Sequence, residues 1–206
     1  MASADRALDL LDLKPDENLD GVPIHTPVRG QIDFKSMGFG YPQRDALFED
    51  FNLSVSAGNT IALVGSTGSG KTTLTRLLLG LYTPCVGHIS IDEQPLSELD
   101  IRSVRRQIGL VSQSVYLFPG TIADNILYGC PQASREAMYA AAKDAECLSF
   151  IESFPDGFET EIGERGIRLS GGQAQRISIA RCLLKDPAII IFDEATSAID
   201  NETEQA

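Results

Sequence analysis

The sequence predicts an α/β fold: a core of buried strands and helices, an antiparallel β subdomain at its edge, and an inserted helical lobe. Three observations carry this. Residues 61–64 (Ile-Ala-Leu-Val), 108–111 (Ile-Gly-Leu-Val) and 188–192 (Ala-Ile-Ile-Ile-Phe) are apolar runs of strand length, as strands buried on both faces require. Residues 31–34 and 51–55 instead alternate polar and apolar side chains, the pattern of half-buried strands near a sheet edge. From 121 to 168 the signal turns helical, with Ala140, Ala141 and Ala142 at its centre.

Taken in order, residues 1–24 stand apart. Ala7, Leu8 and Leu11 have the spacing of a short amphipathic helix, and the stretch from Lys14 to Pro23 reads as a polar linker. The compact domain is expected over residues 25–206. Strands at 31–34 and 51–55 precede the buried strand 61–64, a Gly-rich loop and a Leu-rich helix over 72–81. Further strands follow at 88–91 and 108–111. Helices over 122–128 and 134–154 build the lobe, assigned to residues 121–168. A helix over 171–185 leads, after Pro187, into the most apolar strand of the chain.

The chain has 206 residues, 17 basic and 29 acidic, for a net charge of −12. This balance argues against a nucleic-acid partner. No apolar run reaches the 18 or so residues needed to span a bilayer, and the acidic N-terminus has no apolar stretch of the kind a secretory signal carries. Cys85, Cys130, Cys147 and Cys182 form no C-x-x-C pair and are expected to be reduced thiols; His25 and His88 lie in no ligand cluster.

Chemistry enters at Gly65-Ser66-Thr67-Gly68-Ser69-Gly70-Lys71-Thr72, which fits G-x-x-x-x-G-K-[ST] without a mismatch, between an expected strand and an expected helix. Glycines let the backbone curl with its N–H groups inward, and the following helix adds its positive end, a socket for polyphosphate. Lys71 is the candidate contact for the β- and γ-phosphates, Thr72 the candidate Mg²⁺ ligand, and Thr73 a further nucleotide contact. The strand at 188–192 ends in Asp193 and Glu194. Ligands of open α/β sheets bind at that edge. Asp193 is therefore placed for Mg²⁺, and Glu194 for polarising an attacking water. Together these features read as a P-loop NTPase with a RecA-like core and a mixed sheet.

Leu169-Ser170-Gly171-Gly172-Gln173 narrows the reading. Ser170 is a good N-cap, and the glycines leave the next amides uncovered, which makes a second anion socket. With the two nucleotide motifs, this stretch resembles the signature of ATP-binding cassette (ABC) proteins. The resemblance implies that two domains pair head to tail, each ATP held between one chain's Gly65 loop and the partner's Ser170, Gly171, Gly172 and Gln173. It further implies that Tyr41 stacks on adenine and that Gln113 senses the γ-phosphate and Mg²⁺. Ser197-Ala198-Ile199-Asp200 is similar to a loop that touches the partner subunit.

Two stretches are similar to the exporter branch of the family: Thr160-Glu161-Ile162-Gly163-Glu164-Arg165-Gly166, and the segment 117–126 after Gln113. The resemblance thus implies ATP and Mg²⁺ as cofactors and catalysis through Glu194, Lys71 and Gln113. It implies a transmembrane partner contacted near Gln113 and residues 160–166, at the cytoplasmic side of a membrane. Residues 1–24 resemble the linker from an exporter's membrane domain, which is expected to lie upstream. The family's switch histidine falls beyond the 197–200 loop, so the domain is expected to be incomplete at its C-terminus. Two alternatives stay open: a non-transport ABC ATPase, or a fragment that binds ATP with little hydrolysis. The exporter-like loop at 160–166 discriminates against the first.

Overall fold

The computed structural model describes residues 18–163 and 169–193. The expected helix in residues 1–17, Glu194, the 197–200 loop and residues 164–166 of the exporter-like loop lie outside the described residues. The chain divides into two compact units, Met1–Arg105 and Arg106–Ala206.

The first unit is built on an antiparallel sheet of four strands in the order β2-β1-β3-β4, from β1 (Ile32–Phe39), β2 (Phe48–Val55), β3 (Val86–Ile91) and β4 (Gln94–Pro95). β1 is central, pairing Ile32 with Val55 on one side and with Ile91 on the other. The alternation that marks residues 31–34 stops at Lys35, yet the strand runs on to Phe39. Ser36 adopts a positive φ of 45°, the register shifts there, and the Asn52 carboxamide oxygen accepts from the Ser36 N–H (2.9 Å). The bulge resets the inward face, so Phe34 and Met37, three residues apart, are both buried. A two-residue period cannot register such a strand.

Helix α1 (Lys71–Leu78) buries Leu74, Leu77 and Leu78, spaced for one helical face. Helix α2 (Ile101–Arg106) follows a single 3-10 turn at Leu96–Glu98. Arg105 Nε donates to the Leu79 carbonyl at the end of α1 (2.9 Å), a cation where the helix dipole is negative.

The structure corrects one expectation here. Residues 61–64 are not in a strand, and Ile61, Leu63 and Val64 are 47%, 44% and 92% exposed. A continuous apolar run calls for two covered faces and two hydrogen-bonded edges. Among the described residues no strand pairs with this run, and the antiparallel sheet is assembled without it.

The second unit holds a parallel pair, β5 (Ile108–Val111) and β8 (Ile189–Phe192), in register from Ile108↔Ile189 to Val111↔Phe192. Parallel and antiparallel strands both occur as expected; in the described residues they belong to separate sheets. Between β5 and β8 lie β6 (Gly120–Thr121), α3 (Ile122–Leu127), α4 (Arg135–Asp144), α5 (Leu148–Ser153), β7 (Glu161–Ile162) and α6 (Gly171–Leu184). Their core gathers Leu117, Ile122, Ile126, Met138, Ile151 and Ile177, all essentially buried.

The single helix expected over 134–154 is two helices. α4 ends because Glu146 takes φ 54°, with Cys147 N–H donating to the Ala142 carbonyl (2.8 Å) and Glu146 N–H to that of Lys143 (2.9 Å). This is a left-handed helix stop without its usual glycine, and so without its usual sequence mark.

Candidate functional site

In the first unit the Gly65 loop closes a turn, with Ser69 N–H donating to the Ser66 carbonyl (3.1 Å). Gly68 and Gly70 have φ of 86° and 98°, a region where a side chain is strained, and a Cβ on Gly70 would meet the Phe48 ring. Gly70 offers no side-chain cap, and the first turn of α1 holds no acidic residue. The amides at the helix start therefore keep their donor capacity and positive potential for an anion. Lys71 Nζ folds over the loop, donating to the carbonyls of Gly65 (2.7 Å) and Ser66 (3.1 Å). Thr72 is exposed, its hydroxyl at the helix start available to a cation; Thr73 is buried.

Tyr41 belongs to this neighbourhood. Its phenol bonds the Thr73 hydroxyl (3.0 Å), and its ring stands edge-on to Phe39 and Tyr82 at 5.1 and 5.2 Å. An aromatic platform thus sits beside the helix that follows the loop. The Thr73 side chain is engaged with Tyr41, which leaves its backbone as the part free to meet a phosphate.

In the second unit, Asp193 directly follows β8, and its N–H donates to the Val111 carbonyl at the end of β5 (2.9 Å). Gln113 lies two residues beyond Val111 and is exposed. One carboxylate and one carboxamide thus share the C-terminal edge of the parallel pair. The oxygens of Thr72, Gln113 and Asp193 are hard donors of the type Mg²⁺ takes.

The same unit holds the second socket. Ser170 caps α6 in a reciprocal box: Gln173 N–H donates to Ser170 Oγ (3.2 Å), and Ser170 N–H to Gln173 Oε1 (3.0 Å). Among the described residues nothing stands where a Gly171 side chain would be. The two exporter-like stretches also meet. Gly120–Thr121 pairs with residues 161–162, and Ile122 N–H donates to the Thr160 carbonyl (3.1 Å).

Asn125 and Arg181 escaped the sequence reading. Asn125 is fully buried and ties together Phe118, Thr121 and Arg181. An asparagine inside a helical lobe of apolar residues is the one signal that could have marked it. No helix among the described residues is long and apolar enough to cross a membrane.

Comparison with known proteins gives the family. A family model described as ABC transporter matches residues 48–197. An ATP-dependent lipid A-core flippase of Legionella pneumophila (strain Paris) is 48% identical over 204 residues, 99% of this chain and 34% of that protein. The ABC multidrug transporter mdr2 of Aspergillus fumigatus is 46% identical over 206 residues, 99% of this chain and 26% of that protein. The structure of a bacterial Atm1-family ABC exporter with ATP bound is similar at a TM-score of 0.89 and 40% identity, over 98% of this chain and 36% of that one. The chain spans about a third of the length of the flippase it matches. With residues 48–197, well over half of its length, inside one family model, the chain belongs to the ABC transporter family, where it corresponds to the P-loop domain of the exporters.

Proposed function

We propose that this chain binds ATP with Mg²⁺, pairs with a second such domain, and hydrolyses ATP to drive export through a transmembrane partner. The observation that carries the reading is the uncapped start of α1, with Lys71 over the loop and Tyr41 beside it. Lys71 exchanges its loop carbonyls for the β- and γ-phosphate oxygens, while the amides of Gly65, Ser66, Thr67, Gly68, Ser69 and Gly70 cradle the chain of phosphates. Tyr41 offers its ring to the adenine. Thr72, Asp193 and Gln113 would hold Mg²⁺, which supplies charge neutralisation between the phosphates. Glu194 orients the attacking water and accepts its proton.

The partner's Ser170, Gly171, Gly172 and Gln173 close the pocket with a helix N-terminus, so each copy contributes half of two sites. Transfer of this scheme from the exporters is supported by the intact loop, strand-end carboxylates and signature. Residues 160–166 and the segment after Gln113 are the proposed contact with the membrane part, which places the domain at the cytoplasmic face of a membrane. The lipid A-core flippase and multidrug relatives transport different cargoes, and no cargo is assigned here.

The test is ATP turnover as a function of protein concentration, with Glu194→Gln and Ser170→Ala alongside. Turnover per molecule is expected to rise with concentration and to vanish in Glu194→Gln. ATP binding that shows neither turnover nor pairing would refute hydrolysis by this chain and leave a nucleotide-binding domain alone.

A further inference from the structure

We propose that Arg181 is a positioning residue that clamps the segment after Gln113 to the helix that begins at Ser170, so that the two functional ends of this unit move together. Arg181 lies in the last turn of α6. Its donors do not serve its own helix. Nε donates to the Asn125 carbonyl (2.8 Å), Nη2 to Asn125 Oδ1 (3.0 Å) and Nη1 to the Tyr116 carbonyl (3.1 Å), partners 56 to 65 residues away in sequence. The guanidinium also stands 5.6 Å from the ring centres of both Phe118 and Tyr128, which stack on each other at 4.3 Å and 29°. One planar fork thus holds three oxygens and two rings of residues 116–128. An ammonium cannot reproduce that geometry.

The clamp has something to transmit. α6 has 14 residues, about 21 Å of stiff rod at 1.5 Å per residue, with the Ser170 socket at one end and Arg181 near the other. The clamped segment starts just beyond Gln113 and is itself bonded to residues 160–162. A displacement of the socket therefore reaches both exporter-like stretches through one set of directed bonds. Burial holds the Arg181 pKa below the ordinary guanidinium value, as expected of a cation placed for its contacts rather than for solvation.

This rests on the ATP-pairing reading above, and hydrogen exchange in the full chain separates the two. In a Glu194→Gln background, ATP–Mg²⁺ is expected to slow exchange at residues 170–175 and also at 117–128, each by about tenfold. Arg181→Ala and Arg181→Lys are expected to keep the slowing at 170–175 and to lose it at 117–128, to about twofold or less. A merely structural role would lower the melting temperature and leave the ratio of the two protections unchanged. Arg181→Lys keeps the charge and most of the stem, and it decides the matter if Arg181→Ala does not fold. Parental slowing at 117–128 in a folded variant overturns the clamp alone. Absence of slowing at 170–175 in the parent overturns the ATP-pairing reading and the clamp with it.

Discussion

Replacing Asn125 with alanine is expected to be among the most damaging single changes in the second unit. The side chain is fully buried, and both halves of its carboxamide are used. Oδ1 accepts from Phe118 N–H (2.8 Å) and Arg181 Nη2 (3.0 Å); Nδ2 donates to the carbonyls of Phe118 (2.9 Å) and Thr121 (3.0 Å). Alanine takes a partner from three backbone groups and one arm of the arginine. These partners are half-buried, so each loss is taken at about 1 kcal/mol, the low end of the range for an orphaned group, for a total of about 3–4 kcal/mol. That is a large share of the about 5–15 kcal/mol that holds a domain folded. Asn125→Asp retains the accepting half but sets a second acceptor oxygen against the Phe118 and Thr121 carbonyls, so a loss at least as large is expected. Urea unfolding followed by circular dichroism reads both variants. An Asn125→Ala midpoint that shifts by less than about 0.5 kcal/mol, at an unchanged slope, would show that water or repacking replaces these bonds and that the network is not a keystone.

Lys71→Ala removes a half-buried side chain that donates to two loop carbonyls. Calorimetric titration should show ATP binding weakened by about 10- to 150-fold, the worth of a charged hydrogen bond, with an almost unchanged melting temperature. Ser170→Ala breaks the reciprocal cap on α6 and is expected to cost about 0.5–2 kcal/mol in urea unfolding; an unchanged midpoint counts against the cap. Asp33 is held below its ordinary carboxylate value of 3.8, first by the Ser54 hydroxyl (2.6 Å) and then by Gln31. A depressed folded pKa contributes stability above the unfolded value, lost as pH falls through the folded one. Asp33→Asn should therefore flatten the acid limb of stability below pH 3.8 and leave the slope above neutrality alone. Cys147 has no exposed surface, and burial pushes its thiol up to about 12, whereas Cys85 is exposed. Native alkylation read by mass spectrometry should modify Cys85 first and Cys147 last; equal rates would mean that the lobe opens readily.

Chemistry was legible wherever it depends on residue type at short spacing. The curl of the Gly65 loop, the N-cap at Ser170 and the carboxylate after β8 are local consequences of glycines, a hydroxyl and a strand end, and the structure places each as its neighbours in sequence imply. The helix at Gly171–Leu184 and the strand at Ile189–Phe192 follow from the same local rules. Four features escaped short-range patterning. The apolar run at 61–64 signals a wish for two covers, and only the fold could say that the described residues do not supply them. The bulge at Ser36 and the left-handed stop at Glu146 are φ choices by residues that carry no glycine mark; the Ser36 N–H donates to the Asn52 carboxamide oxygen, and the Cys147 N–H to the Ala142 carbonyl. The Arg181 clamp draws oxygens from 56 to 65 residues away. Short-range patterning records what a residue can do; only tertiary packing decides which distant carbonyl, ring or strand edge is there to receive it.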